Sequence, residues 1–277
     1  MTAAAKGLVQ PFLNFLIRSA DRSALRELAR SGPIGGALRN ALTGLSPSDV
    51  GDDPLIARIE SGRSALLGDD SPLVDDSLGP AGIYDDGQSI GKAAQASRKP
   101  GDSLMLYNLV REFHPRTILE LGTNLGVSSA YLAAAQTRNA AGEAFTLDAS
   151  PYRQRVARKL HEECGLSNIH YVAGLFSDTV HDTLANIPLV DLAFIDGHHQ
   201  YQPTLDYFTE ILGHSAPECV FIFDDINWSD GMRRAWSELR RDPRFTVVAD
   251  LNNVGIGITT EISSQLPVNV KIRARRR

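Results

Sequence analysis

Four apolar runs in this chain end in acids: Glu120, Asp148, Asp196 and the pair Asp224-Asp225. A carboxylate after a short buried strand can serve as a strand-end cap or an Asx turn. Four of them at the same relative place suggest a functional cleft. Asp148 is suited to accepting the two hydroxyls of a ribose, so it selects a nucleoside rather than a phosphate. Asp196, Asp224 and Asp225 form a second group. Crowded carboxylates repel unless one keeps a proton or a cation lies between them, and hard divalent ions such as Mg²⁺ favour oxygen ligands of this kind. Between Glu120 and Asp148 lies Gly122-Thr-Asn-Leu-Gly126, followed by Ser128 and Ser129. Glycines permit positive φ and close approach of a ligand, and the free N–H groups of a following helix supply donors. The spacing lacks the G-x-G-x-x-G of dinucleotide sites, and no lysine follows Gly126 as it would in a P-loop.

These residues need strands that end on one edge. Thr117 to Glu120, Glu143 to Asp148, Ile169 to Val172, Leu189 to Asp196 and Cys219 to Phe223 are short apolar runs separated by helical patterns, as expected for parallel strands buried on both faces. Tyr152 to Cys164 is amphipathic and closed by Gly165. Phe245 to Ala249 and Val254 to Thr259 are too close in sequence for a crossover, so they form a hairpin. The expected fold is α/β: a doubly wound, Rossmann-like, seven-stranded sheet, mostly parallel with an antiparallel last strand. Ligands of such sheets bind outside the carboxyl ends of the strands where strand order reverses. Residues 1–100 carry short helical patterns broken by Gly and Pro, and are expected to be a helical extension serving as a lid or dimer element. The Tyr84 to Ser89 stretch is a candidate for closing over a ligand. Residues 101–262 form the main domain, and residues 263–277 a basic tail.

The 277 residues are 43% hydrophobic and carry a net charge of -5, which suits a globular protein and gives no support to nucleic acid as a partner. The apolar run from Pro11 to Ile17 is too short to span a bilayer and contains Asn14, so no membrane partner is expected. Cys164 and Cys219 form no metal-spaced cluster and suit a cytoplasmic protein with reduced thiols.

The stretch Ile118-Leu-Glu-Leu-Gly-Thr-Asn-Leu-Gly126, together with Thr146-Leu-Asp148, resembles the first two motifs of the class I S-adenosylmethionine-dependent methyltransferases. A narrower likeness, to the branch of catechol O-methyltransferase and the macrocin-type enzymes, rests on Asp191-Leu-Ala-Phe-Ile-Asp-Gly-His-His-Gln-Tyr201 and Phe221-Ile-Phe-Asp-Asp-Ile-Asn-Trp228. The resemblance implies S-adenosylmethionine held by Glu120, Gly122, Thr123, Asn124, Gly126, Ser128, Asp148, Ala149, Gly174, Phe176 and Asp196. It also implies Mg²⁺ or another divalent cation on Asp196, Asp224 and Asp225. By the same carry-over, His199 stands where the catechol enzymes have a lysine base, and His198 where some sugar-directed relatives have an aspartate. Imidazole titrates near neutrality, so it suits general base work. Tyr201, Asn227 and Trp228 are candidates for shaping the acceptor pocket. The implied function is transfer of a methyl group to a hydroxyl of a small molecule, in a homo-oligomer. Two rivals are an NAD-linked oxidoreductase, disfavoured by the missing middle glycine, and a non-catalytic cofactor-binding or assembly protein.

Overall fold

The computed structural model describes residues 21–45, 53–74, 88–261 and 268–272. One eight-stranded sheet has the order β3-β2-β1-β4-β5-β7-β6-β8. Its strands are β1 (Thr117–Leu121), β2 (Glu143–Asp148), β3 (Ile169–Ala173), β4 (Val190–Ile195), β5 (Ser215–Phe223), β6 (Phe245–Asp250), β7 (Gly255–Thr259) and β8 (Val268–Lys271). From β3 across to β5 all neighbours are parallel. β7 runs antiparallel to both β5 and β6. The expected sheet is therefore present, with one strand more than the seven expected. β8 pairs parallel with β6 and lies within the stretch expected to be a basic tail. Val268 and Val270 alternate with Asn269 and Lys271, but the run is short and set in a basic stretch, a weak strand signal. Lys271 Nζ sits 3.2 Å from Asp250 Oδ2 and pins the strand to the end of β6.

Helices cover both faces of the sheet. On one face lie α1 (residues 21–30), α2 (Pro33–Thr43), α3 (Pro54–Leu67), α5 (Pro100–Phe113), α6 (Val127–Arg138) and α7 (Pro151–Cys164). Their core joins Leu28, Leu38, Ile56 and Ile59 to Leu106, Val110, Leu132, Phe194 and Ile222. The described N-terminal helices thus share a core with the sheet. α6 is buried on all sides from Val127 to Gln136, because α3 and α5 cover the side that the sheet does not. Its alanines permit close packing there. Tyr131 Oη donates to Glu60 Oε1 at 2.7 Å and ties α6 to α3. Arg138 and Asp53 add an ion pair at 2.5 Å, which holds the Asp53 carboxyl below its usual range against the opposing effect of burial.

On the opposite face, α8 (Phe176–Asn186), α9 (Tyr201–Leu212) and α10 (Asp230–Leu239) close a second core around Phe208, Phe221, Phe223, Phe245 and Trp236. The short α4 (Ile90–Ala94) starts at Ser89, whose Oγ accepts from Lys92 N at 3.1 Å. Of the Tyr84 to Ser89 stretch, residues 84–87 lie outside the described residues, while the Gln88 carbonyl accepts from Leu73 N at 2.7 Å and Gln88 lines the cavity at the carboxyl ends of the strands. Among the described residues, no helix is long and apolar enough to cross a membrane.

Candidate active site

Strand order reverses between β1 and β4, where β1 passes to β2 on one side and β4 to β5 on the other. The crevice at that point is a cavity of about 1600 Å³ at the carboxyl ends of the strands. Backbone hydrogen bonds hold the strand ends together: Gly122 N to Leu147 O at 2.9 Å, Asp196 N to Leu121 O at 2.9 Å and Asp224 N to Ile195 O at 3.0 Å. The expected acids therefore arrive on one edge because parallel pairing places their strand ends side by side.

One end of the cavity is the glycine turn. Gly122, Thr123, Asn124, Leu125, Val127 and Ser128 line it. Gly122 has φ +110°, and a Cβ there would lie 2.2 Å from the Asp196 carbonyl oxygen. Gly126 has φ +83°, and its Cβ would lie 2.6 Å from Ala157 Cβ and 2.7 Å from His161 Nε2. Both glycines are thus required by the protein's own packing, a reason the sequence does not display. Gly126 lies behind the cavity wall, where its carbonyl accepts from His161 Nε2 at 2.7 Å. A carbonyl can only accept, so Nε2 carries the proton, and Nδ1 accepts from Tyr171 Oη at 2.6 Å. Burial lowers the pKa of this neutral imidazole to about 4.

Asp148 is buried. Its Oδ2 accepts from Asn124 N at 2.8 Å and its Oδ1 from Ser150 N at 2.9 Å. The carboxylate thus fastens the glycine turn to the end of β2. Asp148 and Ala149 line the cavity, as do Leu175 and Phe176 after β3. Phe176 stands edge-on to Tyr207 at 5.7 Å between ring centroids. Gly174 lies outside the lining; with φ +152°, its Cβ would meet Thr179 Cγ2 at 2.5 Å. Glu120 also lies behind the wall. Its Oε2 accepts from Thr146 Oγ1 at 2.6 Å and from Ser129 Oγ. Burial raises its pKa, against the lowering effect of its serine and threonine donors.

At the other end are Asp196, His198, His199, Asp224, Asp225 and Trp228. The Asp196 side chain is 24% exposed and His199 30%, with Asp196 Oδ1 3.8 Å from His199 Nε2. Desolvation raises the Asp196 pKa well above the ordinary carboxylate value, and the Asp224 charge adds to that shift. His198 Nδ1 lies 2.9 Å from Tyr207 Oη. Trp228 is 72% exposed at the mouth. Tyr201 lies outside the lining: its hydroxyl donates to Glu238 at 2.6 Å and its ring packs against Arg234. Asn227 is outside it as well, donating to the Asn252 carbonyl.

The backbone is most strained along this cavity. Of the seven described non-glycine residues with positive φ, Asn124, His198, His199, Asp225 and Asn252 line it. Such conformations persist only where surrounding contacts enforce them, and they gather at functional sites.

Three further lining residues carry little or no local sequence signal. Arg98 and Arg153 are separated from the acids along the chain, and Asn253 lies in the β6–β7 turn. Arg153 donates from Nη1 to Asn124 Oδ1 and buttresses the glycine turn. Arg98 is ion-paired with Asp224. Asn253 Nδ2 donates to Asp225 Oδ1 at 2.7 Å. Arg153 alone has a hint, because it follows Ser150-Pro151 in the first turn of a helix that must begin beside Asp148.

Residues 119–226 match the model of a methyltransferase domain family. No curated protein matches the chain. Solved structures of similar fold include a cofactor-bound protein from MTB, 21% identical, covering 77% of this chain and 93% of that one at a TM-score of 0.56. Another is an SAH-bound methyltransferase from Podospora anserina, 16% identical, covering 76% and 88% at 0.55. A third is an O-methyltransferase from Bacillus cereus in complex with SAH, 22% identical, covering 74% and 90% at 0.53. At these identities the likeness is one of fold. The methyltransferase-domain match runs from within β1 to just past the end of β5, on a sheet whose strands here are ordered β3-β2-β1-β4-β5.

Proposed function

We propose that the chain transfers a methyl group from S-adenosylmethionine to a hydroxyl of a small molecule. The observation that carries this reading is the single cavity joining the glycine turn and Asp148 to Asp196 and His199. Its volume of about 1600 Å³ exceeds the roughly 300–1,000 Å³ of a site for one drug-sized ligand, so it has room for donor and acceptor together. The residues at the glycine end fit a nucleoside: the buried Asp148 carboxylate, apolar Leu175 and Phe176, and a helix N-terminus without a side-chain cap. When bound, S-adenosylmethionine supplies an electrophilic methyl group.

The residues of the far end prepare the acceptor. His199 is the proposed catalytic base: it is partly exposed in the cavity, with its Nε2 3.8 Å from Asp196 Oδ1. His198 is engaged with Tyr207 and positions the turn that carries His199. Holding the acceptor oxygen in line with the methyl group is the larger part of the work.

The divalent cation implied by the resemblance fits these residues poorly. Asp224 is already ion-paired with Arg98, and Asp225 Oδ1 is engaged by Asn253. No group of three metal-binding side chains occurs among the described residues. The proposed mechanism therefore has no metal step.

Calorimetry tests the donor half: Asp148→Ala should weaken S-adenosylmethionine at least tenfold, and unchanged affinity would remove the assignment. Turnover on a hydroxyl panel tests the base: His199→Ala should lose about 10²–10⁴-fold, the usual worth of general base catalysis, with donor affinity kept. Near-normal turnover in that variant excludes His199 as the base.

A further inference from the structure

The acidic end of the cavity already holds a cation supplied by the chain. Arg98 lies in the segment 95–99 between α4 and α5, and its Nη2 pairs with Asp224 Oδ2. The pair is nearly out of solvent, with 7% of the Arg98 side chain and 11% of the Asp224 side chain exposed. The guanidinium carbon stands 4.9 Å from the centroid of the Phe194 ring, a cation–π contact that holds the group over β4. Asp224 is engaged further, and so is Asp225. Asp224 Oδ1 accepts from Asp225 N at 2.8 Å, and Asp225 Oδ1 accepts from Asn253. A Mg²⁺ ion needs near-octahedral oxygen ligands at about 2.0–2.1 Å. These carboxylates are committed to a guanidinium, a backbone amide and a side-chain amide instead.

We propose that Arg98 is the resident cation of this edge and takes the place of a divalent metal beside Asp196, Asp224 and Asp225. A guanidinium is always charged, planar and weakly hydrated, which suits it to a buried pair where an ammonium would be costly. Removing it would leave Asp224 uncompensated in a closed site. Arg98 Nε and Nη2 are out of solvent and make no hydrogen bond of good geometry among the described residues, so the pairing with Asp224 is one of charge. This inference does not depend on the proposed hydroxyl methylation.

The test uses the full chain and Mn²⁺ as probe, followed by calorimetry and electron paramagnetic resonance. The wild type should show no saturable Mn²⁺ site at millimolar concentrations, and a chelator should leave its melting temperature and S-adenosylmethionine affinity unchanged. Arg98→Met removes the charge and should bind Mn²⁺ at least tenfold more tightly than the wild type, whereas Arg98→Lys should stay nearer the wild type. One tight Mn²⁺ equivalent in the wild type, lost in Asp224→Asn, would overturn the proposal. Should Arg98→Met not fold, the wild-type and Asp224→Asn titrations still decide. Because the titration needs no turnover, failure of the cation assignment is separable from failure of the methyl-transfer reading, which S-adenosylmethionine calorimetry reports.

Discussion

Gly126→Ala should be far more damaging than Gly165→Ala, although both residues have left-handed backbones. Gly126 has φ +83° and Gly165 φ +75°, so the conformational cost of adding a Cβ is similar, about 1–2 kcal/mol. Surroundings separate them. At Gly165 an added Cβ meets nothing within 4 Å, whereas at Gly126 it would lie 2.6 Å and 2.9 Å from Ala157 Cβ and Cα, and 2.7 Å from His161 Nε2. Overpacking of this kind costs about 1–3 kcal/mol. Displacing His161 from the Gly126 carbonyl forfeits a hydrogen bond worth about 1 kcal/mol. Gly126→Ala should therefore lose roughly 2–4 kcal/mol more than Gly165→Ala, a further fall of about 5–15 °C in melting temperature for a domain of this size. Thermal and urea unfolding of the two variants, each with S-adenosylmethionine calorimetry, measures it. Equal losses would refute the claim that Gly126 is fixed by the helix behind it, and would return its role to ligand approach alone.

Two pH dependences of opposite sign follow. His161 has a folded pKa near 4, below the 6.5 of the unfolded chain, so the unfolded state takes up a proton first. Its contribution is full above pH 6.5 and is lost as pH falls toward 4, about 3 kcal/mol at 1.36 kcal/mol per unit; His161→Gln should flatten that part of the curve of melting temperature against pH. Asp196 behaves oppositely. Its folded pKa is raised, so stability falls as pH rises from the unfolded value through the folded one. Asp196→Asn should therefore melt higher than the wild type at pH 8 while turning over more slowly, and a lower melting temperature there would count against the desolvation argument.

What the sequence reveals and conceals follows from distance along the chain. Strands β1 to β5 are legible because helices cover both faces, so their apolar runs are nearly continuous, as in Leu192 to Ile195 and Val220 to Phe223. The acids at their ends are legible for the same reason. β8 is not readily so, since its alternation of Val268 and Val270 with Asn269 and Lys271 spans only four residues of a basic stretch. Neither is the meaning of Gly122: its requirement comes from the Asp196 backbone across the β1–β4 seam. The three far acids suggest a metal because a sequence displays carboxylates together and hides the counter-charge. Arg98 arrives from a loop that precedes the whole sheet, and only the fold brings it to Asp224.

The same long-range contacts explain how the site holds its strain. Left-handed backbone at a non-glycine residue costs on the order of 1–3 kcal/mol, and the cavity wall carries it at Asn124, His198, His199, Asp225 and Asn252. For three of these the restraint is visible. Asn124 is gripped by Asp148 through its N–H and by Arg153 through its side chain. His198 is held by Tyr207, and Asp225 by Asn253. Each restraining group comes from a different element, so the strained conformations depend on the assembled fold. His199 has no hydrogen bond among these restraints and faces Asp196 at 3.8 Å, which leaves its imidazole able to approach an acceptor proton. The neighbours of the proposed base are fixed while its side chain retains reach, the arrangement a proton-accepting residue needs in a cavity that admits two ligands.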